Sequence, residues 1–184
     1  MQRYAPVQGV LVRMAMACLA AACLLGTGVA LGVELKRADP RLALPEFQTQ
    51  DGNPFAYGDA RGRVLVVNFW AAWCEPCRKE LPALERMASS MKGQPVDVLL
   101  VNLGDSPRVI QAFLKKYPVA LPVYRDAESR LLAGAWNIKQ LPATLLVDQR
   151  GRARWLAIGQ LDEQAEPVRS QVRALLNEGP AAAR

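Results

Sequence analysis

The sequence predicts an α/β fold in which a mixed central sheet carries helices on both faces. Two apolar runs rich in β-branched residues, 63–71 and 96–103, are typical of strands buried on both sides, and a helical pattern follows each of them. Two further strand-like segments flank the short turn 149–151 near the C-terminus. Because alternating strands and helices indicate parallel pairing and a closing hairpin adds antiparallel strands, the sheet should be mixed.

The N-terminal part of the chain, residues 1–33, is predicted to be a membrane anchor or a signal segment. Its apolar stretch 14–33 contains no charged residue, and about 20 such residues suffice for a helix to cross a bilayer. Arg3 and Arg13 precede the stretch as in a cleavable signal peptide, and Cys23 leaves lipidation as a third alternative. In each case we expect the folded domain outside the cytoplasm, on the periplasmic side of the inner (cytoplasmic) membrane, with a single-pass anchor where the segment is retained.

The folded domain is predicted to span residues 46–177. Residues 34–45 before it turn polar in composition, with five charged residues and two prolines, and are interpreted as a linker, while residues 178–184 are interpreted as a flexible tail. The domain should begin with a hairpin, because Asp51-Gly52 lies between two short extended pieces in FQTQDGNPFAY.

The elements that follow can be placed in order along the chain. The helix after the first strand should span residues 75–91, with apolar residues at helical spacing. Ser106 and Pro107 are typical of the N-cap and the first position of a second helix. The remaining predictions are a strand at 121–126, a short helix at 129–138, strands at 143–148 and 152–159, and an amphipathic helix at 162–176. A chain of 184 residues can bury such a core without disulfide staples.

The composition argues against several classes of function. Histidine is absent, which argues against zinc sites that mix His and Cys and against Ser-His or Cys-His nucleophilic catalysis. The formal net charge is +6, but the basic residues are scattered and no nucleic-acid-binding module accompanies them. We therefore expect no nucleic-acid partner and no cofactor.

The motif CEPC holds the only two cysteines of the predicted domain, Cys74 and Cys77, since Cys18 and Cys23 lie in the apolar N-terminal stretch. Haem attachment needs a histidine directly after the second cysteine, where this chain has Arg78. A structural zinc site needs four ligands, and the domain has no second Cys or His pair. No metal is therefore expected unless two chains share one, which leaves an inert pair of core thiols or a dithiol-disulfide couple.

The spacing of the two cysteines favours a redox couple. Cys74 near the helix cap and Cys77 three residues later fall on one helix face, close enough to form a disulfide. Unpaired N–H groups and the helix dipole favour a thiolate at Cys74, so it should attack, while the more shielded Cys77 resolves. Pro76 fits the first helical turn without the loss of a needed donor.

Three segments carry a resemblance to a known family. NFWAAWCEPCRKELPAL, VDVLLVNLGDS and WNIKQLPATLLVDQRG together resemble the ResA/TlpA-like membrane-anchored thiol-disulfide oxidoreductases of the thioredoxin superfamily, over about residues 44–176. The resemblance implies a thioredoxin-like fold with a helix-strand insertion at residues 106–123. It further implies that Cys74 is the exposed nucleophile, Cys77 its partner in a redox-active disulfide, and Pro142 a cis-proline whose loop faces them. Leu141, the residue before that proline, is expected to help shape the site.

Two carboxylates close to the motif are candidates for tuning the thiols. Glu75 should raise the pKa of the Cys74 thiol and make the couple more reducing. Glu80 lies three residues beyond Cys77, and the resemblance implies that it handles protons during exchange; alternatively it is a solvated residue balanced by neighbouring basic side chains. Trp73 is expected to pack beside the disulfide and limit access to it.

The leading hypothesis for the function is an extracytoplasmic reductase. Cys74 would attack a disulfide in a client protein and Cys77 would resolve the mixed disulfide. The resemblance suggests apocytochrome c as the client, within cytochrome c maturation, and a membrane electron carrier as the reductant. The alternatives are a general oxidant or peroxidase of the same fold, or a docking module or chaperone without redox chemistry.

Overall fold

The computed structural model describes residues 33–126, 134, 136–162 and 165–180. A six-stranded sheet forms its centre, with the strands in the order β1-β6-β5-β2-β3-β4. The strands are β1 (Glu34–Arg37), β2 (Val64–Trp70), β3 (Val96–Leu103), β4 (Val123–Asp126), β5 (Ala143–Val147) and β6 (Ala153–Ile158). Pairing is parallel for β2-β3-β4 and antiparallel for β2-β5, β5-β6 and β1-β6. The predicted mixed sheet is confirmed.

The described residues contain three helices, α1 (Glu75–Ser90), α2 (Pro107–Lys116) and α3 (Glu166–Glu178). α1 and α2 begin at the predicted positions, and Ser106 caps α2 as expected. α3 begins at Glu166 rather than at residue 162, and the predicted helix at 129–138 lies largely outside the described residues. These helices follow the strands closely, which gives the thioredoxin-like arrangement.

β2 lies at the centre of the core because all seven of its residues are buried. Its residues alternate between two clusters of apolar side chains, as the alternation of side chains along a strand requires. One cluster contains Val64, Val66 and Trp70 together with buried residues of all three helices. The other contains Leu65, Val67 and Phe69 and is extended by the aromatic side chains of the N-terminal segment. The near-continuous apolar pattern of this strand is thereby explained.

The predicted N-terminal hairpin is present in a short form. The Phe55 amide donates to the Phe47 carbonyl at 2.8 Å, and the Thr49 amide donates to the Asn53 carbonyl at 2.8 Å. Gln48 exchanges two backbone hydrogen bonds with Arg125, of 3.0 and 2.8 Å, and so attaches the hairpin to β4. A single bridge therefore attaches the hairpin to the edge strand β4.

The segment interpreted as a linker, 34–45, differs from that prediction at its start. Residues Glu34–Arg37 form the edge strand β1, which pairs antiparallel with β6. The Arg37 guanidinium lies over the Trp155 ring at 4.1 Å, and Leu35 packs against the first core cluster. Polar residues suit an edge strand because one side of it remains in water, so composition alone did not distinguish it from a linker.

The predicted membrane segment, residues 1–33, lies outside the described residues except for Val33. Within the part of the chain that the structure describes, no helix is long and apolar enough to cross a membrane. The end of the predicted tail, 181–184, is likewise outside the described residues.

Candidate active site

The two motif cysteines lie where β2 gives way to α1. Cys74 is the N-cap of α1, and its Sγ accepts a hydrogen bond from the Cys77 amide at 3.3 Å. Its own amide donates to the Ala71 carbonyl at 3.1 Å, which closes the turn between strand and helix. Pro76 occupies the first helical turn, as predicted. Cys74 therefore lies at the positive end of the helix, where a thiolate is stabilised.

Cys74 and Cys77 are joined by a disulfide, with an S–S distance of 2.07 Å and a Cα–Cα distance of 5.3 Å. The expectation that Cys74 is exposed is wrong for this disulfide form, because Cys74 is only 4% and Cys77 only 1% exposed. Both residues belong to the first core cluster, which covers them. Among the described residues, no group of three or more Cys, Asp or Glu side chains is placed to hold a metal ion.

Trp73 does not have the packed position expected of it. Its side chain is 74% exposed, so it projects into solvent instead of covering the disulfide. Trp70, three residues earlier, is the tryptophan that packs inside the protein, with its ring 4.7 Å from that of Phe113. Trp73 thus leaves an apolar surface next to the redox motif.

Glu75 is exposed and pairs with two cations of its own helix. Arg78 forms a salt bridge with it, and the Lys79 ammonium lies 3.7 Å from its carboxylate. Arg78 lowers the pKa of Glu75 through this hydrogen-bonded pair. These three side chains carry one negative and two positive charges, so together they do not supply the negative field that was expected from Glu75 alone.

Glu80 is fully buried on the inner face of α1. Its Oε1 accepts a hydrogen bond from Asn68 Nδ2 at 2.7 Å, and its Oε2 accepts one from the Leu161 amide at 2.9 Å. Burial raises the pKa of Glu80 to about 7, although the two hydrogen bonds oppose that shift. The alternative of a solvated residue balanced by Arg78, Lys79 or Arg86 is therefore wrong, since Glu80 is fully buried.

Two buried polar residues that sequence reasoning missed support Glu80. Asn68 on β2 and Thr144 on β5 are direct partners in the sheet, and Asn68 Nδ2 also donates to Thr144 Oγ1 at 3.1 Å. Asn68 Oδ1 has no hydrogen-bond partner among the described residues. The available signal was a single polar residue within each of two otherwise apolar strands, because a buried polar side chain needs a partner.

The Leu141–Pro142 peptide bond is cis, which confirms the cis-proline. Pro142 is buried, and its carbonyl accepts a hydrogen bond from the Gly159 amide at 3.0 Å. Leu141 is half-buried and packs against both core clusters, including the one that contains the two cysteines. The loop before β5 is therefore attached both to β6 and to the core around the motif.

Asp105, which sequence reasoning also missed, lies in the loop between β3 and α2. Its Oδ2 accepts a hydrogen bond from the Ala72 amide at 2.6 Å and another from Asn102 Nδ2 at 2.9 Å. The Asp105 amide donates back to Asn102 Oδ1 at 3.1 Å. The carboxyl ends of parallel β2 and β3 meet at this edge of the sheet, so an acidic residue just after β3 was the available signal.

The arrangement suits thiol-disulfide exchange. One sulfur lies at a helix N-terminus, the second is covered, and a protonatable carboxylate is buried on the same helix. The matched proteins point to the same chemistry. A family model described as the AhpC/TSA family matches residues 38–156.

Two curated relatives are thiol-disulfide oxidoreductases. ResA of Bacillus subtilis (strain 168) is 33% identical over 121 residues, which are 65% of this chain and 67% of the relative. ResA of Geobacillus kaustophilus (strain HTA426) is 30% identical over 122 residues, which are 65% of this chain and 70% of the relative.

Solved structures of the same kind superpose on the chain. A putative thiol:disulfide interchange protein DsbE from Chlorobium tepidum gives a TM-score of 0.64 at 25% identity and covers 78% of this chain and 99% of its own. MTB dsbF gives a TM-score of 0.60 at 28% identity, with 71% and 94% covered. The chain therefore belongs to the AhpC/TSA family, and it is a thioredoxin-like thiol-disulfide oxidoreductase of the ResA type.

Proposed function

We propose that this oxidoreductase works as a reductase, whose dithiol form gives two electrons to a disulfide in a client protein outside the cytoplasm. The observation that carries the proposal is the buried Glu80 carboxylate, which lies on the same helix as both cysteines and has only neutral hydrogen-bond donors among its described partners. A nearby carboxylate disfavours a thiolate. Because a less stable thiolate makes the dithiol a better electron donor, this arrangement favours reduction of clients.

The reaction proceeds through two exchanges that balance in electrons. The Cys74 thiolate attacks one sulfur of the client disulfide, that S–S bond breaks, and the other client sulfur leaves as a thiolate. The Cys77 thiolate then attacks Cys74 Sγ, which releases the second client thiolate and forms the intramolecular disulfide. The client gains two electrons and the enzyme loses two, so a dithiol or other membrane-linked donor must reduce it again.

Glu80 acts in this scheme as the base that takes the proton from the Cys77 thiol, and as the acid that returns a proton when the disulfide is reduced. A pKa of about 7 suits both directions near neutral pH. The chain has no histidine for this role. Asn68 and the Leu161 amide stabilise the charged form and hold the carboxylate in place.

The proposed client is a disulfide-bearing protein, with apocytochrome c as the candidate that the family resemblance suggests. The exposed Trp73 supports a protein client, because it offers an apolar contact surface directly before Cys74. The apolar N-terminal residues 14–33 support a tether to the inner membrane with the domain on the periplasmic side, where a membrane electron carrier supplies the reducing equivalents.

A redox titration of the purified domain tests the direction of electron flow. We expect a potential near the reducing value of thioredoxin, about −270 mV. A value near the strongly oxidising end, about −120 mV, would exclude the reductase and favour the general oxidant.

The client is tested by trapping. Cys77→Ala leaves Cys74 without its resolving partner, so mixed disulfides should accumulate in intact cells and be identifiable by mass spectrometry. Cys74→Ala is the matched control and should trap nothing. Trapped peptides with a CxxCH motif support apocytochrome c, whereas their absence among abundant trapped clients argues against that client.

A further inference from the structure

The negative field that the reductase needs at Cys74 does not come from the exposed charges of the first helical turns. Glu75, Arg78 and Lys79 together carry a net positive charge. Glu75 and Lys79 are exposed, where charges are screened, and Arg78 is half-buried. A second acidic group held close to the motif would add to the effect of Glu80 on the thiolate.

Asp105 has the geometry for this task. It is half-buried, and its carboxylate accepts a 2.6 Å hydrogen bond from the amide of Ala72, two residues before Cys74. Its other hydrogen-bond partner among the described residues is the neutral amide of Asn102, at 2.9 Å, and none of the described salt bridges involves it. Its charge therefore acts on the motif without a paired cation and with less screening than an exposed residue.

The contacts of Asp105 also fix its position relative to the motif. Asn102 is fully buried and is the partner of Trp70 in the register between β2 and β3. Asn102 and Asp105 bond to each other twice, through Asn102 Nδ2 and through the Asp105 amide. Through Asp105, the Ala72 amide is thus anchored to the end of β3. Asp105 itself directly precedes Ser106, the N-cap of α2.

We propose that Asp105 is a positioning residue for Cys74. Asp105 anchors the turn before the motif, and its negative charge shifts the redox couple toward the disulfide. The disulfide takes up two electrons and two protons to give the dithiol. A nearby carboxylate repels a charged thiolate but has little effect on the neutral disulfide. The Asp105 charge therefore destabilises the reduced form at every pH at which Cys74 is ionised. This inference rests on the proposed reductase function, which sets the direction of electron flow between enzyme and client.

The test compares three variants of the full chain. Asp105→Asn removes the charge but keeps an oxygen that can accept from the Ala72 amide, and Asp105→Ala removes both. Asp97→Asn is the matched control, because it removes the same charge at the opposite end of β3, where Asp97 pairs with Arg63. For each variant, the Cys74 thiol pKa is measured by the pH dependence of alkylation, together with the equilibrium constant against a dithiol reference and the thermal midpoint.

The expected result is that Asp105→Asn lowers the Cys74 pKa by about one unit and shifts the equilibrium roughly three- to tenfold toward the dithiol at a pH above that pKa. At a pH where Cys74 is a neutral thiol in both proteins, the equilibrium should not change, which a purely structural role does not predict. Asp105→Ala should show the same shift and also a lower thermal midpoint. Asp97→Asn should lower the thermal midpoint with the thiol pKa unchanged.

An unchanged Cys74 pKa in Asp105→Asn, or an equal change in Asp97→Asn, would overturn the inference. The wild-type potential decides the proposed reductase, while the difference between variants decides the role of Asp105, so the failure of one is distinguishable from the failure of the other.

Discussion

The buried carboxylate of Glu80 makes a strong prediction about stability as a function of pH. Its pKa is about 7 in the folded protein, against an ordinary value of 4.5. Because the folded state binds this proton more tightly than the unfolded state, the stabilisation is fully present below the unfolded pKa. It is lost as the pH rises through the folded value.

The size of the effect follows from that difference in pKa. Each pKa unit corresponds to about 1.4 kcal/mol, so Glu80 should remove ~3 kcal/mol from the free energy of unfolding between about pH 4 and pH 8. In the variant Glu80→Gln this contribution disappears. The amide has nothing to titrate, and the unpaired Asn68 Oδ1 can accept a hydrogen bond from it after rotation of the Asn68 amide.

The assay is urea unfolding of the oxidised domain at a series of pH values, for wild type and Glu80→Gln. The difference between the two free-energy curves isolates Glu80, because the other ionisable groups are shared. Glu75→Gln is the matched control on the same helix and should retain the wild-type slope between pH 5 and 8, since Glu75 is exposed and its pKa is lowered. If the wild-type slope persisted in Glu80→Gln, the buried carboxylate would not be its source and the reasoning would be refuted.

Three further outcomes are expected. Asn68→Leu removes a hydrogen-bond donor to the Glu80 carboxylate, so the pKa of Glu80 should rise above its wild-type value. The pH-rate profile of thiol exchange should then move to higher pH, and an unmoved profile contradicts the role of the hydrogen bond. Trp73→Ala should leave the thermal midpoint within a few degrees of the wild-type value, because the side chain is 74% exposed. It should slow exchange with a protein disulfide more than exchange with a small disulfide, and equal slowing of both would argue against a client contact. Thr144→Val removes the 3.1 Å contact to Asn68 and should destabilise the domain by about 1 kcal/mol, with Thr144→Ser, which keeps the hydroxyl, restoring most of the loss in chemical denaturation.

Much of the fold and the centre of the site could be predicted because the signals are local. The apolar run of β2 and the CEPC spacing depend on neighbouring residues, and the structure shows a central buried strand and a disulfide there. The cis peptide bond before Pro142 was expected only from the family resemblance, because the local sequence also allows a trans-proline at the start of a strand. β1 was missed because a four-residue edge strand with three charged side chains is too short to show a periodicity that separates it from a linker.

The sequence by itself determined which residues carry the chemistry, since Cys74 and Cys77 are the only thiols of the domain and their spacing fits a helix N-terminus. The tertiary structure alone decided which polar groups surround the motif. Glu80 meets Leu161 across 81 positions of the chain, and Ala72 meets Asp105 across 33. The physical reason is that burial and charge at the motif depend on which distant segments the sheet brings together, whereas periodicity and spacing describe only neighbours along the chain.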